Sequence, residues 1–232
     1  DGATRVGLNA VAVGLCPGPL IHALLTSLVG ARWAAEMLTS GALLSCTLAL
    51  DIGRDFAGGL PYQAWAKELV KQRHAKDDPH VRCLPDNPPR TWGMPHLTKL
   101  VHTPRLLVLL YEVNAMYRQI FLDGRPLPED PNPSWNGYST GHWDGDTLVI
   151  ETNGLRDDMW LDIQGSPITE SARVTERLRR PSFGLMQVEI AVDDPKAYTK
   201  PWSVTVEMAV QVDTAMLEEI CLDDEQDVKL YR

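Results

Sequence analysis

From Trp202 to Val212 every second residue is apolar: Trp202, Val204, Val206, Met208, Val210 and Val212, with Ser203, Thr205, Glu207 and Gln211 between them. A period of two puts one row of side chains in a core and the other in water, as a strand does and a helix cannot. Leu185–Val192 repeats the pattern, with Met186, Val188, Ile190 and Val192 on one face, and Arg173–Leu178 alternates in the same way. Three long alternating runs in succession demand an antiparallel sheet with one dry face.

Earlier segments add strands to that sheet. Leu97–Thr103 is a first run, stopped by Pro104. Arg105–Val113 and Met116–Leu122 read as a hairpin with Asn114-Ala115 as a two-residue turn, which sets Tyr111 opposite Arg118 and Glu112 opposite Tyr117. Leu106–Leu110 is apolar at every position, the mark of a strand covered on both faces. Asp144-Gly145 is a hairpin dipeptide joining a strand that ends at Trp143 to Thr147–Thr152, and Met216–Leu222 reads as a last strand. Eight or nine strands without helical crossovers predict a mainly β fold: an antiparallel meander closed into a lipocalin-like barrel or a curled sheet.

One helix is expected beside the sheet. In Tyr62–His74, Trp65, Leu69 and Gln72 recur at helical spacing, and Pro61 suits a first turn. Residues 1–50 differ from the rest. Their only charges are Asp1, Arg5, Arg32 and Glu36, which cancel, so the net charge of −9 lies after Leu50. A boundary is expected at Asp51–Gly59, dividing an apolar N-terminal segment (1–50) from a β domain (51–232). The segment reads either as an export-signal or anchor remnant or as apolar helices packed on the domain. Contact with a membrane would depend on it. The acidic balance argues against nucleic acid as a partner.

No C-x-x-C, G-x-S-x-G, G-x-G-x-x-G or P-loop is present, so no cofactor is indicated. Cys83 and Cys221 flank the β region; they form one disulfide if the protein is exported and are otherwise buried thiols. His96, His102 and His142 would bind a metal only if strand register made them converge, and no metal site is assigned. Asp157, Asp158 and Asp162 lack the ordered spacing of a calcium loop and read as a solvated acidic loop.

A wider resemblance rests on Gly59-Leu60-Pro61-Tyr62 with Trp65, Cys83-Leu84-Pro85, Tyr117-Arg118-Gln119-Ile120-Phe121 with Asp123-Gly124-Arg125-Pro126, and Trp135-Asn136-Gly137-Tyr138-Ser139. Gly145-Asp146-Thr147-Leu148, Val174-Thr175-Glu176-Arg177, and Asp193-Asp194-Pro195 with Tyr198 and Pro201-Trp202 extend it. Over about Asp51–Asp227 the chain resembles a large family of uncharacterised, predicted secreted proteins of environmental bacteria. That resemblance implies export to the periplasm or the medium, and no catalytic residues.

Two loops concentrate the remaining signal: Asp123–Gly141 and Asn153–Ser171. Loops of this length are functional or disordered, and aromatic residues favour docking over disorder. Trp135, Tyr138, Trp143, Trp160 and Tyr198 are the candidate ligand-binding residues, expected to line a pocket at one end of the barrel. They would serve equally as loop anchors. The leading expectation is an exported protein that binds a small apolar or aromatic molecule. The alternatives are a cofactor-free enzyme doing acid/base chemistry with His142, Asp144 or Glu112, and a purely structural envelope protein.

Overall fold

The computed structural model describes residues 40–46 and 52–221. Nine strands follow in chain order: β1 (Ser40–Cys46), β2 (Thr98–Thr103), β3 (Leu106–Tyr111), β4 (Tyr117–Phe121), β5 (Tyr138–Asp144), β6 (Thr147–Asn153), β7 (Arg173–Ser182), β8 (Leu185–Asp193) and β9 (Trp202–Gln211). β2 to β9 form a curled sheet of eight neighbouring strands, and β1 pairs with both outer members, β2 and β9. The expected mainly β, barrel-forming architecture is therefore present. One closing strand, however, comes from the segment set apart as an N-terminal appendage. The export signal or apolar helices expected within residues 1–39 lie outside the described residues.

Strand alternation has the predicted consequence in the last third. Met186, Val188, Ile190 and Val192 of β8 are buried, as are Trp202, Val206 and Met208 of β9. Leu107, Leu109, Ile120, Ile150, Val174 and Leu178 meet them inside. On the outer face of β3, Leu106, Val108 and Leu110 are only half-buried, so that strand is not fully covered on both sides. The interior is packed with side chains, unlike the ligand-holding calyx of a lipocalin-type barrel.

Several local readings need correction. The chain is not an antiparallel meander throughout: β4 and β5 run parallel, paired only at Ile120↔Ser139 and Phe121↔Thr140. Parallel neighbours require a crossover, and residues 122–137 supply it without a helix. The β3–β4 register sets Leu109, not Tyr111, opposite Arg118. Val113–Ala115 forms a 3-10 turn with Asn114 and Ala115 at positive φ, and this lengthens the connection by two residues. An even shift keeps each side chain on its face. In the β5–β6 hairpin the turn is Gly145-Asp146, not Asp144-Gly145, with Gly145 at φ +62°, and Gly141 lies opposite Ile150. No strand occurs in 216–221.

The helical parts close one end. A short helix, α1 (Ile52–Asp55), precedes α2 (Ala64–Gln72), and α3 (Pro88–Gly93) adds to the one helix expected. In α3, Asn87 caps the N-terminus by accepting from Arg90 N, and prolines occupy the first positions, where no N–H is needed. α2 buries only Ala66; Trp65 stays 47% exposed and donates from Nε1 to Lys196 O at 2.8 Å. Gln63 N donates to Ala197 O and Thr199 N to Pro61 O, which fastens this segment to the β8–β9 loop. The strand registers put that loop, the 154–172 loop and the 112–116 turn at the same end of the sheet. The opposite end has the short turns at 104–105, Gly145-Asp146 and 183–184, and the 122–137 crossover and the tail after β9 leave from it.

Cys83 and Cys221 are joined by a disulfide, with their Cα atoms 5.4 Å apart. It anchors the tail that follows β9. Along this tail Glu219 pairs with His96 at 3.0 Å, and Leu217 N donates to Glu112 Oε1.

Candidate functional site

Because β4 and β5 share only two paired positions, they splay apart toward the start of β4. The gap is a cleft of about 520 Å3 between Tyr117–Phe121 and Ser134–Ser139, with Pro85 and Met116 at its margin. Its shape depends on the turn at Ser134–Gly137. Gly137 has φ +63°, and a Cβ there would lie 2.5 Å from Asn153 O, so only glycine fits. Asn136 Nδ2 donates to Tyr117 O at 2.9 Å and straps the loop to β4.

Aromatic rings form the walls. Phe121 and Tyr138 stack with centroids 5.2 Å apart at 28°. The Arg125 guanidinium lies 3.9 Å from the Phe121 centroid, and Arg125 Nη1 donates to Tyr138 Oη at 3.3 Å. Arg125 also chelates Asp123, whose carboxyl is held down at about 2 chiefly by that hydrogen bond. Arg156 stands 4.7 Å over the Trp135 ring and is itself bonded to Asp158. Two aromatic walls are thus braced by cations at fixed positions.

Arg118 forms the floor. It is 1% exposed. Its Nε donates to Ser139 Oγ at 3.1 Å, Nη2 to Thr152 Oγ1 at 2.8 Å, and Nη1 to Glu176 Oε1 at 2.9 Å; Nη2 also pairs with Glu176 Oε2. Trp92 Nε1 of α3 donates to the same carboxylate at 2.5 Å. Burial works against the Arg118 charge, yet the Glu176 carboxylate more than offsets it and holds the guanidinium pKa above its ordinary value.

Of the expected ligand-binding residues, Trp135 and Tyr138 meet in the cleft. The other three do not line it. Trp143 is half-buried and stands edge-on to His102, with centroids 6.4 Å apart. Trp160 is 5% exposed, under the Arg73 guanidinium. Tyr198 is buried between Tyr62 and Trp202 and donates from Oη to Pro167 O at 2.7 Å. These last two are loop anchors: long loops dock by burying their aromatics.

The acid/base candidates are not brought together. His142 and Asp144 are exposed near the Gly145-Asp146 turn. Glu112 is at the opposite end, accepting from Leu97 N at 3.1 Å and Leu217 N at 3.0 Å. His96 is held by Glu219 and His102 lies beside Trp143. Among the described residues no three potential metal ligands cluster. Asp162 is not solvated as expected; it is buried and accepts from Ser166 N at 3.0 Å and Ser166 Oγ at 2.5 Å.

Tyr117, Arg118, Phe121 and Glu176 were missing from the sequence reading of the site. A signal for the charged pair was present. Arg118 occupies a core-facing position between Met116 and Ile120, and Glu176 one between Val174 and Leu178. An ionisable residue in the dry row of a strand needs a partner.

Fold and cleft together define a curled β-sheet protein, closed by its first strand, with one lateral aromatic cleft. No protein-family model, curated protein or solved structure matches the chain.

Proposed function

We propose that the chain is an exported binding protein for a small apolar or aromatic molecule, held in the cleft between β4 and β5. The observation that carries this reading is the cleft itself. At about 520 Å3 it falls within the range of small-molecule sites. Its walls are Tyr117, Phe121, Trp135 and Tyr138, and a fully satisfied ion pair stiffens its floor. Such a floor holds the opening in shape before a ligand arrives, which lowers the ordering cost of binding. The Cys83–Cys221 bridge supports export, since disulfides persist in oxidising compartments. No helix among the described residues is long and apolar enough to cross a membrane.

The test is titration with the uncharged fluorescent probe N-phenyl-1-naphthylamine. Trp135→Ala and Tyr138→Ala are each expected to weaken binding about tenfold, the loss of one well-packed aromatic contact. Parent-like affinity in both variants overturns the proposal.

A further inference from the structure

On the reading that this cleft is a ligand site, we infer that its ligand is a planar aromatic molecule bearing a carboxylate, which the open edge of β4 receives as a hydrogen-bond acceptor. Successive residues of a strand turn their backbone groups to opposite sides. Tyr111 N donates to Met116 O, and Leu122 N to Arg105 O, so the even-numbered residues around β4 face β3. Tyr117, Gln119 and Phe121 therefore face β5. With Ile120 opposite Ser139 in a parallel ladder, Gln119 C=O accepts from Ser139 N–H, and Phe121 N–H donates to Ser139 C=O. Tyr117 C=O accepts from Asn136 Nδ2.

The N–H groups of Tyr117 and Gln119 remain. Among the described residues neither has a partner within the protein, and both border the cleft. On this edge the two N–H groups are unpartnered, whereas Tyr117 C=O and Gln119 C=O each already accept a hydrogen bond. A carboxylate finds two open N–H groups there, while the cleft's unpartnered side-chain acceptor, Asn136 Oδ1, is buried and closed to an ammonium ligand.

Charge agrees with this polarity. The chain has 31 acidic residues against 22 basic ones, yet no acidic side chain lines the cleft. The single charged residue that does, Arg118, is neutralised from behind by Glu176. Phe121, Trp135 and Tyr138 supply flat faces for the ring.

The experiment compares 2-naphthoate with 2-naphthylmethylammonium on the intact protein at pH 7, read by tryptophan fluorescence and by calorimetry. Naphthoate is expected to bind at least about tenfold more tightly, as a charge-assisted hydrogen bond allows. Gln119→Glu adds one negative charge at an exposed position beside the open N–H groups. It should weaken naphthoate several-fold and narrow the ratio. Equal or tighter binding of the ammonium overturns the inference, as does an unchanged ratio in Gln119→Glu. If both compounds bind equally and both are lost in Trp135→Ala, the cleft remains a site and only its acceptor preference falls. If neither binds, the reading of the cleft as a ligand site falls with it.

Discussion

Arg118 and Glu176, 58 residues apart in the chain, face each other across the interior with 1% and 0% of their side chains exposed. Arg118 is the one charged residue in the inward row of β4, and Glu176 sits between the buried Val174 and Leu178 in that of β7. Ser139, Thr152 and Trp92 complete the hydrogen bonding, so the pair ties β4, β5, β6, β7 and α3 to one point.

Removing one partner strands the other in a dry interior. Glu176→Gln or Arg118→Met is expected to cost about 3–5 kcal/mol in urea unfolding, the range for a broken buried pair. The double variant Arg118→Met/Glu176→Leu should cost less than either single one, because no unpaired charge is left. Equal or additive losses in the double variant would show that the ion pair is not the unit that matters.

Trp160 and Trp135 should separate cleanly. Trp160 is a buried anchor, so Trp160→Ala is expected to lower stability by about 3–5 kcal/mol, as for other large-to-small aromatic changes. Affinity for N-phenyl-1-naphthylamine, measured where the protein is folded, should be retained. A loss of probe affinity without a loss of stability would return Trp160 to the binding site.

His80 offers a pH signature. Its Nδ1 lies 2.8 Å from Asp86 Oδ2, and that hydrogen bond raises its pKa above the ordinary histidine value despite partial burial. A pKa raised by folding contributes stability that is complete below the unfolded value, about 6.5. The contribution fades as pH rises through the folded-state value. Tm should therefore fall from pH 6 upward through that value, and His80→Gln should flatten the slope there. An unchanged slope in the variant would assign the pH dependence to another group.

The Cys83–Cys221 bridge spans 138 residues of chain. Cys83→Ser/Cys221→Ser is expected to lose about 2–5 kcal/mol, as when a native disulfide is removed from a small secreted domain. It should also raise amide exchange at Leu217, whose N–H is held by Glu112 in the tethered tail. Protection at Leu217 equal to the parent would mean the tail docks without its tether.

A chain beginning at Asp51 would lack β1 and leave the edges of β2 and β9 unpaired. Unpaired edges invite association with other chains. This shortened protein should lose its cooperative melt or aggregate, as light scattering during thermal unfolding will show. A monomer with the parent Tm would make β1 dispensable.

Much of this architecture was legible in the residues. The period-two rows of β7, β8 and β9 announced strands and their buried faces, since a strand leaves no other way to sort apolar from polar side chains. Tyr138 and Trp135 stood out as aromatics on a long loop, and the cleft uses both. Other parts were illegible for definite reasons. The β4–β5 step carries no local signature of parallel pairing, because the direction of a strand relative to its neighbour is not encoded in its own side chains. The hairpin registers were misjudged by two residues, because turn length depends on backbone conformation at Asn114, Ala115 and Gly145.

The sequence by itself determined that this chain makes a curled β-sheet with a dry interior, because periodic burial is a local property of each strand. Tertiary structure alone decided where a site can be. The cleft exists because two strands diverge after two paired residues, and its walls meet only because a 16-residue crossover returns to the start of β4. Trp160 and Tyr198 differ from Trp135 in nothing the sequence displays. Only packing made the first two anchors and left the third facing a gap.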